Sequence, residues 1–135
     1  MSIMLVITIS LHALAAVFWA GSTFVLARNG GADAEKWLRP QMGGAVIVVL
    51  TGAYMWSRLL HEGAFGPMEA VLAFGALCGI LAAGAQGALV GGSARRLRSG
   101  ALSEPEARSR MAIAERIAAL LLAIALICMV SARYF

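Results

Sequence analysis

Hydrophobic residues along this chain gather into four long runs that are separated by short polar or charged segments. The runs cover about residues 3–27, 42–60, 68–92 and 112–132. About 20 apolar residues in a helix cross ~30 Å of hydrocarbon, and all four runs fall within the usual range of lengths. Because the backbone must satisfy its own hydrogen bonds in lipid, each run is predicted to be a helix. The pattern predicts an all-α protein, an integral membrane four-helix bundle with residues 1–135 as a single transmembrane domain.

The segments between the runs carry helix-boundary signals. We expect Pro40 to mark the start of the second helix, because a proline in the first turn loses no hydrogen bond. The connection 61–67 is predicted to be a tight turn. The third connection, 93–108, is the longest and contains Ser103-Glu104-Pro105-Glu106, which is typical of a capped helix start. The first run has no basic segment before it and exceeds the length of a signal-peptide core, so we interpret it as a retained helix.

Composition agrees with a lipid environment. Hydrophobic residues make up 61% of the chain and charged residues 13%, whereas a soluble domain is about half apolar and a quarter charged. Both cysteines, Cys78 and Cys128, lie inside apolar runs without a CxxC pair, so neither a disulfide framework nor a zinc site is indicated. No glycine-rich loop supports nucleotide binding.

The basic residues are distributed very unevenly. Only Arg58 and Arg133 lie near the second connection or the carboxyl terminus. The other nine lie in or beside the first and third connections: Arg28, Lys36, Arg39, Arg95, Arg96, Arg98, Arg108, Arg110 and Arg116. This bias predicts that loops 1 and 3 are cytoplasmic and that the N- and C-termini are outside, in a multi-pass protein of the cell inner membrane. It also explains the net charge of +4 without nucleic acid, since no aromatic residues alternate with the basic cluster.

His12 is the most informative polar residue, because ionisable groups at membrane depth are costly and are functional candidates. Trp19 and Thr23 follow it at i+7 and i+11 on one helical stripe, with the small Ala16 between. Such a face suits a flat cofactor, with the imidazole as axial ligand to iron. The alternative is a histidine that hydrogen-bonds a neighbouring helix, with the small residues serving close packing. Spacing alone leaves both interpretations open.

Three other polar residues also require partners. Glu115, at the start of the fourth run, is expected to face the bundle and to pair with Arg28, with a proton-relay role as the alternative. Gln86 needs a partner inside the bundle. His61 is interpreted as an interfacial polar group, with a second ligand or a proton-entry group as alternatives.

Sulfur-containing residues and small residues add two further hypotheses. Most of the seven methionines are interpreted as packing residues. Met55, Met129 and Cys78 lie at depths that suit a metal ligand paired with His12, and thioethers favour copper(I). Small residues recur at every fourth position of the third run, which predicts a close helix pair or a homodimer seam, or else a smooth wall against a planar ligand. These residues are Gly75, Gly79, Ala83, Gly87 and Gly91.

Several of these segments match a known pattern. Leu11-His12, Trp19-Ala20-Gly21, Phe24 and Arg28 resemble the first helix shared by HemJ-type protoporphyrinogen oxidases and CopD-type copper-resistance membrane proteins. Leu50-Thr51-Gly52 resembles the second-helix TG segment of that family. Ala114-Glu115, followed by Leu120-Leu121-Leu122 and Arg133, resembles the HemJ-type ending.

The resemblance implies heme b within the bundle, with His12 as the metal ligand and redox chemistry at the membrane. In that hypothesis Trp19 and Thr23 shape the cofactor site, and Arg28 with Glu115 governs propionate or proton electrostatics. Met55 is a further cofactor-binding candidate because of its depth. HemJ-type proteins oxidise protoporphyrinogen IX, but their third helix carries a Lys and a His that this chain lacks.

We therefore expect a heme b-binding redox protein, with a porphyrin or quinone-type ligand and a homodimeric state. Copper handling and a cofactor-free, partner-binding membrane subunit are the alternatives.

Overall fold

The computed structural model describes all 135 residues, and it contains helices but no strand. Each of the four helices is long and apolar enough to cross a membrane, which confirms the predicted all-helical architecture. They are α1 (Ile3–Arg28), α2 (Ala34–Glu62), α3 (Pro67–Arg98) and α4 (Glu104–Ser131), which ends in a 3₁₀ turn (Ala132–Tyr134). Residues 86–90 of α3 form a π-helical turn.

Three helices extend further at the same end of the bundle than the apolar runs predict. α2 begins at Ala34 instead of residue 42, α3 ends at Arg98 instead of residue 92, and α4 begins at Glu104 instead of residue 112. Pro40 therefore lies inside α2 and not at its start. The extensions were missed because they are apolar on one side only. That side contributes Ala34, Leu38, Ala94 and Met111 to a small second core, which Val90 and Ala114 complete.

Side chains cap the starts of α3 and α4, and the sequence indicates the second of these caps. The Ser103 hydroxyl accepts a hydrogen bond from the Glu106 N–H at 3.4 Å, which confirms the predicted capped start of α4. The Glu69 carboxylate accepts from the Gly66 N–H at 2.9 Å and caps α3. These bonds satisfy backbone groups that a helix end otherwise leaves free.

The helices alternate in direction, which gives the bundle two unlike ends. The basic end holds the connections 29–33 and 99–103, and the terminal end holds both chain termini and the connection 63–66. α1 packs against α2 and α4, and α3 packs against α4, whereas α2 approaches α3 mainly along residues 86–98. The bundle is therefore closed near the basic end and more open between α2 and α3 toward the terminal end. The central core consists of Trp19, Ala20, Ala45, Ala82, Ala118 and Leu122.

The small residues of α3 serve packing within the chain. A Cβ on Gly75 would lie 2.9 Å from the Cys128 Cβ, so this glycine permits α3 and α4 to approach, and the predicted helix pair is confirmed there. Gly87 and Gly91 instead face α2, and a Cβ on Gly79 would meet nothing within 4 Å. Because a spacing of four exceeds the 3.6-residue period, the stripe winds around the helix. It does not present one flat face, and the homodimer stays a prediction.

The first connection is fixed against α4 by a glycine. Gly30 and Gly31 have φ values of 64° and 80°, in the left-handed region that favours glycine. A Cβ on Gly31 would lie 2.6 Å from the Arg108 carbonyl oxygen and 2.7 Å from the Ala112 nitrogen, whereas one on Gly30 would meet nothing within 4 Å.

The two glycines form a matched pair for mutation. We expect Gly30→Ala to destabilise the protein by about 1 kcal/mol through backbone strain alone. Gly31→Ala adds a backbone clash with α4, which we expect to cost about 1–3 kcal/mol more. Thermal unfolding of both variants in detergent measures the difference, and equal midpoints would contradict the close contact between this connection and α4.

Candidate functional site

Five polar side chains, with at least one from every helix, meet in the basic half of the bundle. Each is at most 1% exposed. We call them the polar layer: Trp19 and Thr23 from α1, Gln41 from α2, Gln86 from α3 and Glu115 from α4.

Gln86 lies at the centre of the polar layer and is the first residue of the π-helical turn. The Trp19 Nε1–H donates to Gln86 Oε1 at 2.7 Å. The Gln86 Nε2 group donates to Thr23 Oγ1 and to Glu115 Oε2, each at 2.9 Å. Since an indole nitrogen can only donate, the orientation of the Gln86 amide is determined. The expectation that Gln86 finds partners inside the bundle is confirmed.

Thr23 joins Gln41 to the same network. Its hydroxyl donates to the Trp19 carbonyl oxygen at 2.7 Å and accepts from Gln41 Nε2 at 3.2 Å. Gln41 Nε2 also lies 3.4 Å from Ser22 Oγ. Two buried oxygens of the layer, Gln41 Oε1 and Glu115 Oε1, have no hydrogen-bond partner.

The expected ion pair between Glu115 and Arg28 is wrong. Arg28 is exposed at the end of α1, five residues beyond Thr23, whereas Glu115 is fully buried beside Gln86. No cation of the protein lies within 4 Å of the Glu115 carboxyl group. The ion pairs of the structure are all exposed ones at the basic end: Lys36–Asp33, Arg98–Glu35 and Arg108–Glu104.

His12 forms a second polar contact, nearer the terminal end. Its Nδ1 lies 2.9 Å from Thr51 Oγ1 of α2. The Thr51 hydroxyl lies 2.6 Å from the Ile47 carbonyl oxygen and 3.2 Å from that of Val48, so we assign it as a donor to its own helix and as an acceptor from the His12 Nδ1–H. With this tautomer the lone pair lies on Nε2, for which no hydrogen bond is found, and the Val48 backbone is a further hydrogen-bond partner of the ring. Gly52 makes room for the ring, since a Cβ there would lie 3.3 Å from His12 Cε1.

The predicted cofactor residues therefore divide between two places. Trp19 lies seven residues from His12, about 10 Å along the helix axis, and Thr23 lies about 16 Å away. Both are hydrogen-bonded within the polar layer and do not line a pocket beside His12. Arg28 lies still further away, about 24 Å along the same axis.

The candidate sulfur ligands are not gathered around His12 into a metal site. Met55 is half-buried one turn beyond Thr51 on the same face of α2, Met129 is half-buried on α4, and Cys78 is buried on α3. No three His, Cys, Asp or Glu side chains converge on one point. Of the predicted ligands, His12 with Met55 on the neighbouring face is the pair that the helix geometry favours.

Sequence reasoning missed two residues of these sites, Gln41 and Thr51. Gln41 lies one residue outside the apolar run from which the second helix was predicted. The spacing of Ala34, Leu38, Gln41 and Ala45 puts all four on one helical face, and this pattern would have placed Gln41 in the bundle. Thr51 was noted only in the family resemblance, because nothing in its neighbourhood indicates a partner 39 residues away.

Comparison of the chain with protein-family models, with curated proteins and with solved structures found no match. The fold and the two sites define it as a multi-pass, four-helix protein suited to a lipid bilayer. The resemblance to HemJ-type and CopD-type proteins stays a prediction.

Replacing Gln86 tests whether the polar layer holds the helices together. We expect Gln86→Leu to lower the free energy of unfolding by about 2–4 kcal/mol, because it leaves Trp19 Nε1 and Glu115 Oε2 buried without partners. Ser10→Ala is the control, since the exposed Ser10 hydroxyl bonds only the Val6 carbonyl of its own helix. Thermal unfolding in detergent measures both, and equal midpoints would show that the layer contributes no stability.

Proposed function

We propose that this chain is a heme b-binding redox protein of the cell inner membrane, with His12 as an axial ligand to iron. The observation that carries the proposal is the free Nε2 of His12 together with the Nδ1–H held by Thr51. Histidines that bind metals usually donate the other ring N–H to a neighbouring acceptor, which orients the ring and raises its basicity. Thr51 supplies that acceptor here.

The open side of the bundle supports a ligand at this level. His12 lies on the same stripe of α1 as Trp19 and Thr23, yet it is only half-buried, whereas those two side chains are fully buried. The difference follows from the separation of α2 and α3 toward the terminal end. A flat, largely apolar molecule such as a porphyrin suits an opening that faces hydrocarbon, and a quinone-type molecule is also flat and largely apolar.

The face of α2 beside His12 offers further groups for heme. Thr51, Met55 and Arg58 recur at i, i+4 and i+7 and lie on one face of the helix. The Met55 thioether would serve as a second ligand or as a contact to the macrocycle. Arg58 is exposed two turns beyond Thr51 and would meet a propionate group. Arg58 therefore takes the role first expected of Arg28.

Heme supplies one-electron chemistry at its iron when it is bound. The residues of the chain would hold and orient the group: His12 as ligand, Thr51 by fixing the imidazole, and the apolar faces of α1 and α2 by excluding water, which tunes the reduction potential. The sequence places no carboxylate and no lysine at the level of His12. Oxidation of protoporphyrinogen requires groups that accept protons from the substrate, whereas electron transfer does not. The residues beside His12 therefore favour electron transfer over the oxidation that the resemblance suggests.

The orientation and the homodimer belong to the same proposal. The basic end is proposed to face the cytoplasm, because nine of the eleven Lys and Arg residues lie there. A second copy would meet α3 at Gly79, the part of the glycine stripe where an added Cβ would meet nothing within 4 Å.

Absorption spectroscopy of the purified protein, expressed with heme available, tests the function. We expect a Soret band in the wild-type protein and its loss in His12→Ala. In Thr51→Val the imidazole loses its acceptor, so we expect heme affinity in a titration to fall about 10- to 100-fold. His61→Ala is the matched control, because the exposed His61 bonds only the Ser57 carbonyl of its own helix, and it should retain the full band.

Other outcomes would contradict the proposal in distinct ways. A wild-type protein without a Soret band, or a His12→Ala variant that keeps it, would exclude His12 ligation. Copper found by elemental analysis in place of heme, and lost in His12→Ala, would favour the copper-handling alternative. Neither metal nor heme would favour the partner-binding subunit.

A further inference from the structure

Two oxygens of the polar layer lack a hydrogen-bond partner. Gln41 Oε1 and Glu115 Oε1 are both buried without a hydrogen bond, and the Gln41 side chain lies within hydrogen-bonding reach of the Glu115 carboxyl group. Leaving even one buried acceptor unpaired costs about 1–3 kcal/mol. Two such atoms on neighbouring side chains indicate that one shared donor is missing.

The donors already present in the layer cannot fill this gap. Both N–H bonds of Gln86 are used, on Thr23 and Glu115, and its orientation is fixed by Trp19. The Gln41 amide nitrogen is directed to Thr23 and Ser22. An amide oxygen and an ionised carboxylate are both acceptors only, so these two oxygens cannot satisfy each other.

The surroundings of Glu115 contain no charge that would balance an ionised carboxylate. The partners of Glu115 from α2 and α3 are Gln41 and Gln86, the side chains of α1 that bond Gln86 are Trp19 and Thr23, and none of these four is charged. On α4 itself, Arg110 and Arg116 are exposed, and no basic group of any helix lies within the 4 Å of an ion pair. An isolated ionised carboxylate at membrane depth is costly.

We propose that the polar layer is a proton-binding site, in which Glu115 carries a proton on Oε1 and donates it to Gln41 Oε1. One proton gives both oxygens a partner and removes the buried charge. A metal cation fits less well, because it needs several oxygen ligands, and the layer has only two oxygens to spare. A proton needs no additional volume between the four packed helices.

Loss of the proton has a defined alternative arrangement. If the Gln41 amide turns over, its Nε2 donates to the ionised Glu115 Oε1. Its Oε1 then accepts from the Thr23 hydroxyl, which rotates away from the Trp19 carbonyl. Every side-chain group again has a partner, so uptake and release of the proton are coupled to the orientation of Gln41. Gln41 is thus a positioning residue. The site lies in the half of the bundle nearer the basic end, from which the proton would exchange.

Infrared difference spectroscopy in H₂O and D₂O tests the proposal at neutral pH. We expect the wild-type protein to show the carbonyl stretch of a protonated carboxylic acid, with a shift in D₂O. Glu115→Gln should lose this band, and Gln41→Leu should keep it at a changed frequency, because the acceptor of the O–H is gone. Glu69→Gln is the matched control, since Glu69 caps the start of α3 as a carboxylate, and it should leave the band unchanged.

The contrary outcomes are equally specific. Absence of the band in the wild-type protein, or its survival in Glu115→Gln, would overturn the proposal, and sodium-dependent thermal stability without the band would assign a cation instead. If Glu115→Gln fails to fold, the frequency in Gln41→Leu decides, and an unchanged frequency would overturn the link to Gln41. His12→Ala should leave the band intact, so this result is independent of heme binding.

Discussion

The amide of Gln86 is the contact on which the arrangement of the helices depends. It bonds two residues of α1 and one of α4 from a position on α3. In lipid, apolar side chains give little preference for one helix neighbour over another, because the surrounding tails are equally apolar. Interhelical hydrogen bonds and close-fitting small residues must therefore select the packing. Gln86 provides the hydrogen bonds, at a level where all four helices supply a polar side chain.

Small residues make that contact geometrically accessible. Ala20, Ala45, Ala82 and Ala118 surround Trp19 in the central core, so the one large ring is enclosed by side chains that allow close helix approach. Gly75 does the same between α3 and α4 further toward the terminal end. The open region lies between α2 and α3, whose contact is concentrated along residues 86–98 of α3, and His12 remains half-buried outside that contact. The packing of the basic half thus determines where a ligand has room.

The sequence predicts the four helices well because the need to span hydrocarbon imposes a simple, local pattern. It predicts their starts and ends less well where a helix leaves the apolar layer, since the extensions that bury Ala34 and Met111 are apolar on one face only. Local spacing identified His12, Gln86 and Glu115 as residues that require partners. It could not supply those partners, because pairs such as His12 with Thr51 join distant parts of the chain. The expected pairing of Glu115 with Arg28 was wrong for that reason. Charge alone suggested an arginine as the partner, whereas the structure pairs Glu115 with the amide of Gln86.

One stripe of α1 connects the two sites and explains why they differ. His12, Trp19 and Thr23 share a helical face, but the bundle closes around the latter two and opens beside the first. Most polar groups in the closed part are bonded within the protein, and the helices packed around them leave little room for a ligand. His12 has one nitrogen committed to Thr51 and one free, so it can accept an external ligand. The same periodicity thus gives a sealed site near the basic end and a receptive one toward the terminal end, and only helix packing distinguishes them.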